Sequence, residues 1–397
     1  MIRKISFSNF YSFKKQVTID FTVNSRAPKN LSYLKTCDKL RLSKIYTIIG
    51  ANASGKTNFI RSLNFIGWFA KYSYFQQQEN QEIPYKPFLL DFRDTKNPIS
   101  NFFIEIEEKK GIYQYEFSLT QNKVQSESLK QIYPKKKLIF SRYQYEKQAK
   151  YNLSGLNISD DLIKNNIKKN ASLLSLVLTF PNNQINDIFS NFNAFTNVKE
   201  TGYVDPGVQL ENVLKKLEKQ PEKKTAIISL IRDFDIDFND IDIHQDSQGR
   251  YIHTSYGIHR IKNKQGTKTT NKRIPLIYES SGTRYLISIF NKIYEALSTG
   301  IPAIIDEIDN NLHPLIVPAL TNLFINNETN PKNSQLIIGT HNVELLNNLD
   351  KSQIIISKKD SSGNSQIFKL SQMRGIKETD NLLKKYLSGS YGGIPKI

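Results

Sequence analysis

The sequence has very little cysteine, methionine and tryptophan: one, two and one residues respectively among 397. Because Cys37 is the single cysteine, the chain can form neither a disulfide framework nor a cysteine-based zinc site. Long apolar runs are also lacking, since the most apolar stretch, 173–180, is far shorter than a membrane span. The opening residues, MIRKISFS, contain no apolar block of signal-peptide length. We therefore expect a cytoplasmic protein without a membrane partner.

Arginine is scarce as well, with 12 residues against 43 lysines. The net charge of +18 favours acidic partners such as nucleic acid. Arginine, however, performs most bidentate recognition of phosphates and bases. Lysine, 38 asparagines and abundant isoleucine, phenylalanine and tyrosine are also what an AT-rich genome would encode. A nucleic-acid-binding surface and a compositional bias therefore both remain open interpretations.

The chain has enough apolar residues for a folded core, since 39% are hydrophobic and 11% aromatic, and this excludes wholesale disorder. Patterning predicts strands at 2–7, 17–21, 45–49, 102–106 and 113–119, and a helix at 56–72. After residue 283, helices and apolar strands alternate, which is typical of a parallel sheet with crossover helices. We predict an α/β fold with a mixed sheet, interrupted by a mainly helical insertion. The predicted parts are an N-terminal lobe at 1–124, the insertion at 125–243 and a C-terminal lobe at 244–397.

Residues 50–57, GANASGKT, match the phosphate-loop pattern GxxxxGK[ST] and lie between an apolar strand and a predicted helix. In such a loop, backbone N–H groups and the helix start face a phosphate. Lys56 can reach the β- and γ-phosphates, and the Thr57 hydroxyl can bind Mg²⁺. The predicted nucleotide-binding residues here are Gly50, Ala51, Asn52, Ala53, Ser54, Gly55, Lys56, Thr57 and Asn58.

A second apolar strand, at 301–305, ends in Asp306 and Glu307. Ligands of parallel sheets gather at the carboxyl ends of strands. Asp306 is suitably placed for the Mg²⁺ shell, and Glu307 for polarising an attacking water. Acidic pairs are also common on surfaces, but the accompanying phosphate loop favours the functional interpretation.

Two further segments carry polar groups next to predicted elements. Residues 279–283, ESSGT, precede a helix and form either an anion site or a plain N-cap. Residues 335–342, QLIIGTHN, end the next predicted parallel strand in His341. A lone histidine there is more often structural, yet this one is within reach of the same γ-phosphate, which favours function.

In this order, the phosphate loop, a long insertion, ESSGT, IIDEID and GTHN resemble the ABC-type ATPases of the SMC-like and OLD-like class. The resemblance implies that Glu307 is the catalytic base and that His341 is the switch histidine. It places Ser281 and Gly282 in the signature motif and Asp309 in the D-loop. The substrate would be ATP with Mg²⁺. The nucleotide would lie between the phosphate loop of one subunit and the signature of another, which implies a homodimer or a higher oligomer.

The resemblance covers 1–130 and 240–397 well and the insertion poorly. The opening ISFSNFYSF is similar to the family's N-terminal stretch, and 386–395 resembles the C-terminus of RloA/AbiL-like defence ATPases. The signature reads ESSGT and not the transporter-type LSGGQ. Gln76, Gln77, Gln78 and Gln81 are equal candidates for the Q-loop glutamine. His313 either matches close bacterial relatives or starts a helix.

OLD-family nucleases carry a Toprim domain after the ATPase, but only about 50 residues follow His341 here. The resemblance therefore favours a sensor or regulator of a separately encoded effector, a nuclease or toxin, in antiphage defence. The alternatives are an SMC-like DNA repair clamp, a transporter subunit and an ATP-binding scaffold. Missing heptads disfavour the clamp, the insertion and ESSGT disfavour the transporter, and Glu307 with His341 disfavours the scaffold. Lysine clusters at 135–137, 168–169 and 262–272 are the candidate docking surfaces for a partner or nucleic acid.

Overall fold

A computed structural model describes residues 1–23, 28–88, 90, 98–108, 111–144, 149–181, 184–189, 194–199, 202–203, 205–234, 237–262, 269–377 and 379–394. Two large sheets enclose one long helix. The segment 263–268 of the third lysine cluster lies outside the described residues. Within the described part, no helix is both long and apolar enough to cross a membrane.

The first sheet is antiparallel and has seven strands. They are β1 (Ile2–Ser8), β2 (Val17–Asp20), β7 (Ser100–Glu108), β8 (Gly111–Leu119), β9 (Val124–Tyr133), β10 (Lys137–Gln144) and β11 (Ala149–Asn152). Their order is β11-β10-β9-β8-β7-β1-β2. Along β7, Phe102, Ile104 and Ile106 are buried while the residues between them are more exposed, as the period of two predicts.

The prediction of a mainly helical insertion starting at 125 is wrong for 125–152, because β9, β10 and β11 continue this sheet. Polar residues occupy core positions there and hide the alternation. Glu127 is fully buried, its carboxylate accepts hydrogen bonds from Tyr115 (2.8 Å) and Arg142 (2.8 Å), and the Arg142 pair is an ion pair. Further along, 153–243 contains five helices among the described residues: α2 (Asp160–Asn166), α3 (Leu173–Val177), α4 (Gln184–Phe189), α5 (Pro206–Lys219) and α6 (Pro221–Arg232).

The second sheet has six strands and is parallel except at one edge. Its strands are β6 (Ile45–Ile49), β12 (Phe195–Thr196), β18 (Ala303–Ile305), β19 (Leu336–Gly339), β20 (Ile354–Lys359) and β21 (Ser365–Lys369). The order is β12-β18-β19-β6-β20-β21, with only β20 and β21 antiparallel. Every residue of β6 is buried, as expected for a strand covered on both faces. The predicted α/β fold with a mixed sheet is confirmed.

Helix α1 (Lys56–Gln76) lies between the two sheets. On one side, the Phe65 ring lies 5.0 Å from Phe102 and the Phe69 ring 4.5 Å from Phe117. The same apolar cluster includes Ile48 of the parallel sheet. The opposite face of the parallel sheet packs in a second cluster with α5, α6, α7 (Ser281–Thr299) and α8 (Ile316–Ile325). The phosphate-loop pattern thus lies at the junction of these layers.

Smaller elements complete the fold. Two short sheets contain β3 (Thr22–Val23), β4 (Tyr33–Lys35) and β5 (Arg41–Ser43), and β13 (Val198–Lys199) with β14 (Gly202–Tyr203). A third, named the ribbon sheet here, contains β15 (Phe238–Asp242), β16 (Tyr256–Lys262) and β17 (Thr269–Pro275). The remaining turns of helix are 3₁₀ segments at Leu276–Tyr278, Val343–Asn347 and Leu370–Gln372, and α9 at Leu382–Leu387.

Candidate functional site

The loop 50–55 connects β6 to α1 and is held closed by Lys56. The Lys56 Nζ donates hydrogen bonds to the carbonyl oxygens of Gly50 (2.9 Å) and Ala51 (3.1 Å). Gly55 has a φ of 115°, and a Cβ there would come within 2.5 Å of Ser365 Oγ, so this position needs glycine. The loop conformation follows from these two residues, both fixed by the motif.

The first turn of α1 follows directly after Gly55. In the described part of the chain, no side chain caps this helix at Gly55, and its first turn contains no acidic residue. An uncapped helix start with its positive dipole end is an anion site. The Ser54 Oγ is also buried and has no hydrogen-bond partner among the described residues. Both features fit a phosphate group at this loop.

Polar side chains follow β18 and β19, which are neighbours in the parallel sheet. Asp306 is fully buried, and its Oδ1 accepts a hydrogen bond from the backbone N–H of Glu307 (3.1 Å). Asn197 holds the Asp306 backbone on both sides, accepting from its N–H (2.9 Å) and donating to its carbonyl oxygen (2.7 Å). Glu307 has a φ of 49°, which turns the chain sharply away from the strand end. The end of the strand thus fixes the Asp306 carboxylate and the backbone that carries Glu307.

Asp309 connects the ends of the two strands. Its Oδ1 accepts a hydrogen bond from the Thr340 hydroxyl (2.7 Å), and its Oδ2 accepts one from the backbone N–H of His341 (3.1 Å). The His341 side chain itself is exposed. Asp309 therefore positions the backbone that carries His341.

A cleft of about 820 Å³ brings most of the predicted residues together. Its walls include Lys56, Thr57, Glu307, Asp309 and His341. Among the described residues, the lining is Ser12, Asn52, Ala53, Ser54, Gly55, Lys56, Thr57, Asn58, Glu307, Asp309, Asn310, Asn311, His341 and Lys359. Gly50 and Ala51 do not line it, since their carbonyl groups hold Lys56 beneath the loop.

The cleft is electrostatically balanced. Burial lowers the pKa of Lys56 below the ordinary lysine value, while the charges of Asp306, Glu307 and Asp309 oppose that change. The lining thus contains the ammonium groups of Lys56 and Lys359 and the carboxylates of Glu307 and Asp309, so the cleft has groups for an anion together with a cation.

Thr57 and Asp306 are the predicted Mg²⁺ ligands. Thr57 lines the cleft, whereas Asp306 lies behind its wall and lines an adjacent cavity. Magnesium prefers hard oxygen ligands and keeps several waters, so a hydroxyl with a recessed carboxylate fits it. The described residues contain no group of three or more His, Cys, Asp or Glu that could hold a metal. These side chains therefore fit an ion whose shell is completed by phosphate and water.

Ser281 and Gly282 do not reach the phosphate loop of their own chain. Ser281 lines the adjacent cavity of about 410 Å³, which shares Glu307, Asn310 and Asn311 with the cleft. The capping role belongs to its neighbour, because the Ser280 Oγ accepts a hydrogen bond from the backbone N–H of Thr283 (2.9 Å). Ser281 is exposed at the start of α7. The chain thus satisfies the N-cap interpretation with Ser280 and leaves the Ser281 hydroxyl outward.

Neither the Q-loop candidates nor His313 join the cleft. Gln76, Gln77, Gln78 and Gln81 lie at or beyond the C-terminal end of α1, about 30 Å along the helix from the phosphate loop. Gln77, for example, donates to the carbonyl oxygens of Gln81 and Glu82 (both 2.9 Å). The Nδ1 of His313 accepts from the backbone N–H of Leu315 (3.3 Å), which supports a helix-start role.

Sequence reasoning missed several residues around the loop. The backbone N–H of Ala51 donates to the carbonyl oxygen of Gly393 (2.6 Å), and the Ser357 hydroxyl donates to the carbonyl oxygen of Ser54 (3.1 Å). Tyr386 also donates its hydroxyl hydrogen to Gly393 O (2.9 Å). The only available signal was the resemblance of 386–395 to a family C-terminus, which gave no role. The C-terminal segment is thus a structural support of the phosphate loop.

The fold and the cleft define a class: an α/β protein with a loop of the phosphate-loop pattern at the end of a central parallel strand. Residues 45–347 match a protein-family model described as "AAA domain, putative AbiEii toxin, Type IV TA system". Because the match covers more than half of the chain, the protein belongs to this AAA-domain family.

Three solved structures are similar over most of their length. One is described as the SmcHead bound to the C-winged helix domain of ScpA, with 15% identity, 92% of this chain and 96% of that chain covered, and a TM-score of 0.46. The SMC head domain from Thermotoga maritima has 16% identity, 93% and 98% coverage, and a TM-score of 0.42. An Smc head domain with an extended coiled coil bound to the C-terminal domain of ScpA, derived from Pyrococcus furiosus, has 15% identity, 92% and 95% coverage, and a TM-score of 0.41. At these scores the likeness carries no argument. No curated protein matches the sequence.

Proposed function

We propose that the chain is a Mg²⁺-dependent ATPase that dimerises on ATP and regulates a separately encoded effector. The observation that carries the proposal is the single cleft in which the phosphate loop, Glu307 and His341 meet. Membership of an AAA-domain family supports nucleotide use.

In the proposed reaction, the loop amides and Lys56 bind the β- and γ-phosphates, and Glu307 accepts the proton of the attacking water. Bound Mg²⁺ would neutralise charge on the phosphate oxygens. Thr57 and Asp306 would hold it, Asp306 through water because of its recessed position. His341 faces the same cleft and would hydrogen-bond the γ-phosphate, while Asp309 positions the His341 backbone.

The proposed dimer follows from the placement of Ser281. Its hydroxyl is exposed and separated from its own chain's phosphate loop by the residues around Glu307. A second copy that offers Ser281 and Gly282 to the open side of the cleft would complete two equivalent sites. Such an arrangement is a closed symmetric dimer. It makes ATP part of the interface, so dimerisation would depend on nucleotide.

The effector role is the least direct part of the proposal. The matched family's description refers to a type IV toxin–antitoxin system, which is consistent with a defence or abortive-infection context. The resemblance of 386–395 to the C-terminus of RloA/AbiL-like defence ATPases also favours a defence role. We therefore favour a regulator of a separately encoded nuclease or toxin, in the cytoplasm.

A DNA repair clamp of the SMC-like type is the second candidate, favoured by the charge of +18. It would use a long coiled coil, whereas the longest helix in the described part of the chain, α1, has 21 residues and is packed between the sheets. ATPase rates with and without double-stranded DNA distinguish the candidates. Strong stimulation by DNA alone would favour the clamp, whereas co-purification of a nuclease or toxin would favour the regulator. Absence of any ATP hydrolysis would overturn both.

A further inference from the structure

The ribbon sheet is connected directly to the segment that carries Ser281. Strand β17 ends at Pro275, the 3₁₀ turn Leu276–Tyr278 follows, and Glu279 and Ser280 then precede α7. This short segment therefore joins the ribbon sheet to α7 along the chain.

Glu279 is the anchor of that segment. Its side chain is only 5% exposed, and its Oε1 lies 2.7 Å from the Nε2 of His259 on β16. The carboxylate fits over Gly257, where a Cβ would come within 2.2 Å of Glu279 Oε1. The His259 ring is 13% exposed and packs edge-on against Phe238, with ring centroids 5.5 Å apart. The ribbon sheet thus provides a close-fitting position for the Glu279 carboxylate.

The backbone around Glu279 links this side-chain contact to the position of Ser281. The Glu279 N–H donates to the carbonyl oxygen of Leu276 (3.2 Å), and Ser280 caps α7. With the cap and the turn fixed, the Glu279 side chain adds a lateral contact to the ribbon sheet, beyond the hydrogen bond from the Leu276 N–H to the carbonyl oxygen of Ser255 (2.9 Å) next to β16. A hydrogen bond from histidine to a carboxylate is directional, and a buried carboxylate that loses its donor is destabilised.

We infer that His259 and Glu279 are a positioning pair that fixes where Ser281 is presented to the nucleotide of a second subunit. The inference rests on the two-chain site of the proposed function. Neither residue touches the cleft of its own chain. Their loss should therefore affect the step that needs the second subunit and spare nucleotide binding to the phosphate loop.

Single substitutions give the first test. His259→Ala and Glu279→Ala should each reduce kcat at least about tenfold, because a small displacement of a positioning contact is costly. The affinity for a non-hydrolysable ATP analogue under monomeric conditions should stay unchanged. Glu279→Gln keeps a hydrogen-bond acceptor for His259 and should restore most of the activity. Arg260→Ala, on the same strand and exposed, is the matched control and should change nothing. Equal losses of affinity and kcat, or no rescue by Gln, would overturn the inference.

Mixed dimers give the decisive test. An equal mixture of Lys56→Ala and His259→Ala chains contains one intact composite site per heterodimer, so about a quarter of the wild-type rate should return. A mixture of Lys56→Ala with Ser281→Ala should recover in the same way. A mixture of Lys56→Ala with Glu307→Gln should not, because both changes belong to the phosphate-loop side.

The outcomes separate the two ideas. Failure of the Ser281 mixture to recover would overturn the two-chain site itself. Recovery with Ser281→Ala but not with His259→Ala would leave the proposed function standing and would overturn the positioning pair, since His259 would then act through the fold of its own chain.

Discussion

Helices α1 and α7 both begin beside the cluster of carboxylates, yet their first turns differ in a way that divides the site. The start of α1 has no capping side chain in the described part of the chain, and its Lys56 is buried against its own loop. The start of α7 is capped by Ser280, and Ser281 is exposed. The first is prepared to bind a phosphate within its own chain. The second is capped by its own chain and has an exposed serine that lines the adjacent cavity. Four substitutions test this contrast, from the largest expected effect to the smallest.

Lys56→Ala removes the ammonium group from the phosphate-loop part of the site, called the α1 side here. Loss of a buried charge that pairs with phosphate typically costs about 2–5 kcal/mol, so affinity for ATP should fall at least about 30-fold and hydrolysis should reach background. Titration of a fluorescent ATP analogue measures this. Lys359 also lines the cleft but lies at the end of β20, so Lys359→Ala is the control and should weaken binding far less. Equal losses from both lysines would indicate a general charge effect.

Glu307→Gln keeps the shape of the α1 side but removes the proposed base. Because general base catalysis contributes about 10²–10⁴-fold, kcat should fall by that range while ATP still binds. The variant should accumulate as an ATP-bound dimer in size-exclusion chromatography with light scattering. Glu344→Gln, exposed in the 3₁₀ segment after His341, is the control and should hydrolyse normally. Full activity of Glu307→Gln would remove this residue from the reaction.

Ser281→Ala changes only the part of the site at the start of α7, called the α7 side here. Removing one donor to developing phosphate charge should lower kcat about 10²-fold, with monomer affinity for ATP unchanged. Ser280→Ala should instead lower the free energy of unfolding by about 1 kcal/mol through loss of the cap. Thermal denaturation of both variants, next to their hydrolysis rates, separates the two serines. A loss of stability in Ser281→Ala without a loss of rate would reverse the assignment.

Thr340→Val is the mildest change, because valine matches threonine in shape and removes only the hydroxyl. The lost hydrogen bond to Asp309, worth about 1.5–3 kcal/mol when a charged group accepts it, should loosen the backbone that carries His341. We expect a reduction in kcat of about tenfold or less, with unchanged dimer formation. Thr321→Val on α8, whose hydroxyl donates to the carbonyl oxygen of Pro318, serves as a control for loss of a threonine hydroxyl. A complete loss of activity in Thr340→Val would mean that Asp309 has a larger role than positioning.

The sequence predicts the α1 side well because local chemistry determines it. A glycine with positive φ, a lysine that can fold back on its loop and a nearly all-apolar strand are each determined by a few consecutive residues. The strand ends at Asp306 and His341 are predictable for the same reason, since parallel strands bring their carboxyl ends to one edge.

The sequence predicts less where tertiary contacts decide the structure. Strands β9 to β11 escape prediction because Glu127 and Arg142 occupy core positions that the pattern expects to be apolar. The contact between Ala51 and Gly393 is a backbone hydrogen bond between distant residues and leaves no trace in side-chain identity. The pair His259 and Glu279 joins a strand to a helix start, and only the register of the ribbon sheet brings the two together.

The strand order of the parallel sheet has a consequence for synthesis on the ribosome. Strand β6, which carries the phosphate loop, lies between β19 and β20. Leu336, the first residue of β19, follows Ile49 by 287 residues. At about 5–20 residues per second, β6 waits roughly 15 to 60 s for a neighbour after it is made. During that interval, Ile-Tyr-Thr-Ile-Ile is an unpaired apolar segment of the kind that aggregates or recruits chaperones. The yield of folded chain should therefore depend on translation speed over 50–335 more than on speed elsewhere.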